Sequence, residues 1–352
     1  MRKLISFIFL LLFPINVFAI NDSSKSSILM DIDSGRVLYE NHADDERLIA
    51  SITKIMTFVV AVENVSDVNK NVTVGDEILK MYGSNIYLEV GEKIKFKDLL
   101  YGLILRSGND AAVVLANSVC KNEKDFVRLM NSKARELEMT NTAFNNCHGL
   151  DDDTRNYSTA RDMAKLSKYA NRLKLYREIS KTRKYQTKSN IKSYVWYNRN
   201  KLLTQYEYAT GGKNGYTPDA GRTLVTTASN GDLNLTVVTL HDSKEYETHK
   251  SLYNFAFKNY KNYKVLDKSK FNLKNKGIKN AYIEKDFFYP MTKEESSNIK
   301  TNIKITKSNH YKNEDKIGIV SVYLNDDLIY KTNIYVKVKD TSKIRSWFKK
   351  NF

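Results

Sequence analysis

The spacing of apolar residues changes once along this chain, from helical to alternating, and the change marks its main division. Residues 27–31 and 36–39 read as two short strands around Asp33-Ser34-Gly35, a polar hairpin turn. An apolar run from residue 52 to 65 predicts a helix, and residues 72–76 predict a strand leading into a loop that holds Gly83 and Gly91. Leu99, Leu100, Leu103 and Ile104 keep helical spacing over 96–105, while 111–119 has so little polar face that it predicts a buried helix. Residues 124–137 are amphipathic, and 159–173 predict a further helix. Strand patterns return at 224–227 and 233–240, followed by 252–257, which belong to a closing helix. A strand pair, a mostly helical insertion and later strands imply an α+β fold, with helices packed on an antiparallel sheet.

Beyond about residue 260 helical periodicity is lost and lysine density rises. Ile303 and Ile305, Ile317 and Ile319, then Ile334, Val336 and Val338 alternate, and Asn325-Asp326 reads as a hairpin turn. Residues 20–260 are therefore expected to form the α+β domain and 261–338 a small all-β domain. Residues 339–352 place Ile344, Trp347, Phe348 and Phe352 near one helical face, with Lys343, Arg345, Lys349 and Lys350 elsewhere. Such a basic amphipathic tail suits the interface of an anionic membrane. At the other end, Arg2 and Lys3, the apolar run 4–13 and the small-residue site at Ala19 predict a secretory signal peptide over 1–19. The apolar run is too short to span a bilayer comfortably. The expectation is an exported, extracytoplasmic protein held peripherally on the outer face of the cytoplasmic membrane.

The formal charge of +17, reduced by two when Arg2 and Lys3 are removed, changes the choice of partners. Export and the lack of a nucleic-acid motif argue against nucleic acid. Anionic headgroups of a membrane surface or an anionic wall polymer are the natural counter-charges. The two cysteines, Cys120 and Cys147, permit a disulfide in an exported chain, and sequence leaves their approach open. Neither has a convincing histidine partner, and with five scattered histidines no metal site and no cofactor is indicated.

The candidate chemistry lies in three short motifs. Ser51-Ile52-Thr53-Lys54 puts a hydroxyl and an amine three residues apart, on one helical face. A desolvated neutral lysine there can take the serine proton and make the oxygen an acylating nucleophile. Ser107-Gly108-Asn109 precedes the buried helix; the serine can relay a proton to a leaving amine and the Asn109 amide can hold a substrate carbonyl. Capping of that helix is the plainer use of both residues. Gly211-Gly212-Lys213-Asn214-Gly215 offers small residues against which a substrate backbone can lie, and an ammonium for an anionic terminus. An ordinary glycine turn carrying a surface lysine is the plainer reading here. The order and spacing, about 55 residues from the first motif to the second and about 105 from the second to the third, make chance coincidence a poor explanation. They are the signature of penicillin-recognising serine acyl-transferases.

The chain resembles the serine-type D-alanyl-D-alanine carboxypeptidases, the low-molecular-mass penicillin-binding proteins. Beyond the motifs, the likeness extends through Ile28-Leu29-Met30-Asp31, Ala50-Ser51-Ile52-Thr53-Lys54-Ile55-Met56-Thr57, His148-Gly149-Leu150-Asp151 and Tyr157-Ser158-Thr159-Ala160-Arg161-Asp162-Met163. It implies a penicillin-binding-protein/β-lactamase-like transpeptidase domain and a peptidoglycan stem peptide ending in D-Ala-D-Ala as substrate, with β-lactam antibiotics acylating the same serine. It also implies roles: Ser51 as nucleophile, Lys54 as base, Ser107 as relay and Asn109 as holder of the substrate amide. Lys213 and Gly215 would receive the carboxylate end, and the N–H groups of Ser51 and Tyr216 would form an oxyanion hole. The family usually has Lys-Thr-Gly, so Asn214 is a departure at the carboxylate subsite, and Arg222 is expected as a second cation. A D,D-endopeptidase would use the same nucleophile. A β-lactamase needs a deacylation glutamate, and 146–162 has no Glu-x-x-Leu-Asn pattern. A non-catalytic peptidoglycan-binding scaffold is the reading from another class, with Asn214 as its mark.

Overall fold

The N-terminal hairpin forms one side of a five-stranded antiparallel sheet in the computed structural model, which describes residues 20–306, 308 and 311–338. The signal-peptide and tail expectations, 1–19 and 339–352, lie outside the described residues. Across the sheet the strands run Val37–Asn41, Ser24–Asp31, Leu233–Asp242, Gly221–Asn230 and Ala209–Thr217. Ser24–Asp31 pairs with Leu233–Asp242, with Ile28 opposite Val238, so the start of the chain is locked beside residues two hundred positions later. Successive side chains of a strand point to opposite faces. Ile28 accordingly enters the core under the helical insertion, and Leu29 enters a second core with Leu252, Tyr253 and Ala256 of the helix Glu245–Asn259. Helices therefore pack on both faces of the antiparallel sheet.

Three departures from the sequence pattern have physical causes. The closing helix to which 252–257 belong extends back to Glu245, because its first turns bury polar side chains that carry no apolar period. His249 is one: its ring nitrogens sit 2.6 Å from Thr226 Oγ1 and 3.1 Å from Thr239 Oγ1, which satisfies it inside the core. The helix predicted over 96–105 is α-helical at Phe96–Tyr101 and widens to a π-turn at Gly102–Arg106. The strand Ala209–Thr217 had no strand signature, since glycines occupy three of its nine positions.

The C-terminal part is built on a four-stranded sheet in the order Ala281–Tyr282, Asp327–Val336, Lys316–Leu324, Ile299–Ile305, beside the pair Lys261–Leu266 and Phe287–Met291. Its own core includes Leu266, Ile317, Val320, Val322, Ile334 and Val336. Asn325 and Asp326 both have positive φ in the predicted hairpin, as a two-residue turn with the twist of the flanking strands requires. This is the expected small all-β domain, with short turns of helix between its strands, among them Lys293–Ser296, started by a capping box between Thr292 and Glu295. Glu295 also receives Arg36 from the N-terminal sheet, with Nη2 2.5 Å from Oε1 and Nη1 3.0 Å from Oε2. Arg36 Nη1 further donates to the Pro290 carbonyl at 2.5 Å, and its guanidinium lies over the Tyr260 and Tyr289 rings.

Candidate active site

The helix bearing the first motif starts at Lys54, and Ser51 belongs to the tight 3-10 turn Ala50–Thr53 before it. A 3-10 turn has three residues per revolution, so positions i and i+3 eclipse each other. That local winding brings Lys54 Nζ to 3.0 Å from Ser51 Oγ. The turn is entered through Ala50 at φ 49, a left-handed conformation costly for a residue with a Cβ, which the surrounding contacts must hold. One such contact is Thr223, whose hydroxyl donates to the Ile49 carbonyl at 2.9 Å.

Lys54 is fully buried and makes two further hydrogen bonds, to Asn109 Oδ1 at 2.7 Å and to the His148 carbonyl at 2.5 Å. Burial pushes its pKa down to about 7, against the opposing influence of Cys147 and Asp110 and with a smaller push down from Arg199. A neutral amine has two N–H donors and one lone pair. Asn109 and His148 take the donors, which leaves the lone pair for the Ser51 hydroxyl.

Ser107 and Asn109 do not cap the helix Asn109–Val119, whose N-cap is Gly108 and has no side-chain cap bond. Ser107 sits in the left-handed region at φ 63, directly after the π-turn, a combination of strained residue and π-bulge typical of functional sites. Asn109 points its amide NH₂ at the Tyr82 carbonyl, 2.6 Å away, which orients its oxygen toward Lys54.

The third motif is the edge strand of the sheet, not a turn. Asn214 pairs with Leu224, Lys213 with Val225, and Gly215 with Thr223, leaving the other edge of this strand unpaired within its sheet. A Cβ on Gly215 would come 2.8 Å from the Ser51 amide nitrogen and 3.1 Å from that of Ile52. Glycine is thus what lets the strand lie against the nucleophile's backbone. Lys213 is buried and donates to the Asn214 carbonyl at 2.6 Å. Burial, and after it the charges of Lys54 and Arg199, lowers its proton affinity well below an ordinary lysine.

Tyr216 stands exposed at the end of this strand, with the Arg222 guanidinium 5.7 Å from its ring centroid. Arg222 is half-exposed and lies 3.6 Å from Glu245, and these contacts hold it beside the closing helix, without a bond to Lys213 or Asn214. The cation whose charge reaches both lysines is Arg199, which the sequence reading did not single out; its Nη1 donates to Ser84 Oγ at 2.6 Å. The His148 carbonyl was also missed as a ligand of Lys54. The tract His148-Gly149-Leu150-Asp151 was visible in sequence, but nothing in it says that a backbone oxygen is the functional atom. Gly149, at φ 85, lies against the Ala50 carbonyl, so the tract needs glycine where it crosses the turn. Cys147 is fully buried and Cys120 partly exposed, and both are free thiols, which answers the open question of a disulfide.

Residues 16–244 match the D-alanyl-D-alanine carboxypeptidase family, and residues 258–342 match the penicillin-binding protein 5 C-terminal domain. The chain belongs to the D-alanyl-D-alanine carboxypeptidase family. It is 33% identical over 245 residues to the D-alanyl-D-alanine carboxypeptidase DacF of Bacillus subtilis, covering 67% of this chain and 63% of that one. It is 38% identical over 251 residues to DacC of Escherichia coli, covering 66% and 62%. The chain thus spans somewhat under two thirds of the length of these relatives. Among solved structures, penicillin binding protein 5 from Haemophilus influenzae superposes with a TM-score of 0.74 at 28% identity, over 90% of this chain and 97% of that one. The α+β domain with helices on an antiparallel sheet, followed by a β domain, is therefore the architecture of that group.

Proposed function

We propose that this protein is a serine D-Ala-D-Ala carboxypeptidase that removes the terminal D-Ala from peptidoglycan pentapeptides and is acylated by β-lactams. The observation that carries the proposal is the Lys54 amine, buried, of lowered basicity and within 3.0 Å of Ser51 Oγ. Ser51 Oγ attacks the carbonyl between the two D-alanines as its proton passes to the Lys54 lone pair. The N–H groups of Ser51 and Tyr216 face the developing oxyanion, and one such donor contributes about 3 kcal/mol to the transition state. The C–N bond then breaks, the proton reaches the leaving amine through Ser107, and free D-Ala departs. Water, deprotonated in turn by Lys54, cleaves the ester and returns Ser51 to its hydroxyl.

The substrate lies as an added strand along the open edge of Ala209–Thr217, with Asn109 holding its amide and its carboxylate at Lys213 and Asn214. That carboxylate restores the charge of Lys213, and a charged Lys213 keeps Lys54 neutral. Arg199, whose charge already reaches Lys213, fits the second cation at this subsite better than Arg222, which lies against Glu245. The division into a catalytic domain, 20–260, and a β domain, 261–338, is supported by their separate cores. The same reading places the protein outside the cytoplasm, with the 339–352 tail on an anionic membrane surface. No helix of the described residues is long and apolar enough to cross a membrane. D-Ala release from diacyl-Lys-D-Ala-D-Ala tests the activity, and folded protein that releases none contradicts it. Parallel digestion of cross-linked muropeptides separates carboxypeptidase from endopeptidase action.

A further inference from the structure

The Lys54 amine is aimed by a backbone carbonyl, and that carbonyl belongs to a loop with few regular hydrogen bonds of its own. The carbonyl belongs to the His148–Gly149 peptide, whose N–H donates to Asn146 Oδ1 at 2.6 Å, and the chain entering that peptide is held at Cys147. The Cys147 N–H donates to Glu123 Oε1 at 2.9 Å, and the Cys147 carbonyl accepts from Thr57 Oγ1 at 2.6 Å. One residue on, the His148 carbonyl accepts from Lys54 Nζ. Glu123 is the first residue of the helix Glu123–Glu136, away from all three motifs. The same carboxylate lies 3.7 Å from His148 Nε2, while His148 Nδ1 accepts the Leu150 N–H at 3.1 Å. The ring therefore carries its proton on Nε2, facing Glu123. Burial holds the histidine neutral, with its pKa lowered to about 4, so the ring adds no charge beside Lys54 at neutral pH.

We propose that Glu123 is a positioning residue for the acylation step: by holding the Cys147 N–H it sets the path of the chain into His148, so that the His148 carbonyl takes one Lys54 N–H and leaves the amine lone pair on Ser51. The inference rests on the proposed role of Lys54 as base. It makes the hydrogen bond from Cys147 N–H, not the charge of Glu123, the working element. A glutamine at 123 keeps an acceptor oxygen at the same reach, and an alanine removes it. Thr57→Val frees the Cys147 carbonyl from the other side with little change of volume.

The test is acylation by a fluorescent penicillin, separated into the binding constant and the acylation rate constant, on wild type, Glu123→Ala, Glu123→Gln and Thr57→Val. Glu123→Ala and Thr57→Val are expected to slow acylation about tenfold with the binding constant held, the scale of loss expected when a reacting group is misplaced by less than 1 Å. Glu123→Gln is expected within about twofold of wild type, because its amide oxygen still accepts the N–H. Folded Glu123→Ala that acylates as fast as wild type overturns the inference and leaves the reading of Lys54 intact. A Glu123→Gln as slow as Glu123→Ala also overturns it, since charge would then be the cause. Wild type that takes no label overturns the reading of the site itself, and this inference with it.

Discussion

Gly215 lies so close to Ser51 that a single added methyl group would come 2.8 Å from the serine amide nitrogen. The contact ties the edge strand to the nucleophile's turn and leaves the Ser51 N–H no room to shift. Gly215→Ala must push the strand or the turn aside. Overpacking of this kind costs about 1–3 kcal/mol of stability, and an oxyanion donor misplaced by 1 Å costs about 100-fold in rate. A folded Gly215→Ala variant is expected to lose penicillin acylation far more than thermal stability, checked by labelling kinetics beside a thermal melt.

Lys54 sets the pH dependence. With its pKa near 7 the amine is neutral above that value, so acylation should rise with pH up to about 7 and level off beyond it. Stability follows the same group with a definite sign. Between about pH 7 and 10 the unfolded chain holds a proton on Lys54 that the folded chain does not, so wild type gains stability with rising pH in that window. Lys54→Met removes the term: the stability of wild type relative to the variant should rise as pH rises from 7 to 10 and stay constant below 7. Denaturant melts of both proteins across that range check it.

Arg36 joins the two parts of the molecule through a bidentate bond to Glu295, partly shielded from water. Charge-assisted hydrogen bonds in such settings contribute about 1.5–3 kcal/mol. Arg36→Ala and Glu295→Ala should each lower the first calorimetric transition, and a double-mutant cycle should return a coupling above 1 kcal/mol, as expected for residues in direct contact. Activity of the catalytic part should stay near the wild-type level in both variants.

In the proposed carboxylate subsite, Asn214 is the departure from the usual Lys-Thr-Gly. Its amide reaches further from the strand than a threonine hydroxyl, and its carbonyl oxygen repels a carboxylate when turned toward it. Asn214→Thr is expected to raise acylation efficiency several-fold, mainly through the binding constant, and an unchanged constant would remove Asn214 from the carboxylate contact.

The chemistry of this site was more legible in sequence than its scaffolding. Ser51, Lys54, Ser107, Asn109 and Lys213 are side-chain functions in short motifs, and the structure brings Ser51 and Asn109 to the buried Lys54 amine, with the charge of Lys54 reaching Lys213. What sequence hid were backbone roles and long-range contacts. The strand Ala209–Thr217 has no strand pattern in sequence because its glycines serve close approach, to Ser51 among others, and close approach leaves no alternating pattern. The His148 carbonyl and the Glu123 that holds its loop have no motif, since any residue supplies a carbonyl. Arg222 is expected as a cation for the substrate by its place after Gly221, and its 3.6 Å approach to Glu245, at the start of the closing helix, is a long-range contact that sequence does not show. The β domain's hairpin was readable because Asn325-Asp326 is a local signal, whereas its contact to Arg36 spans 259 positions and is not.

The central claim is that Ser51 is a nucleophile activated by Lys54, and intact-protein mass measurement after incubation with benzylpenicillin tests it most directly. The account predicts one added penicilloyl mass on wild type, none on Ser51→Ala, and strongly slowed addition on Lys54→Met. Folded wild type with no added mass, or Ser51→Ala modified as fully as wild type, would contradict it.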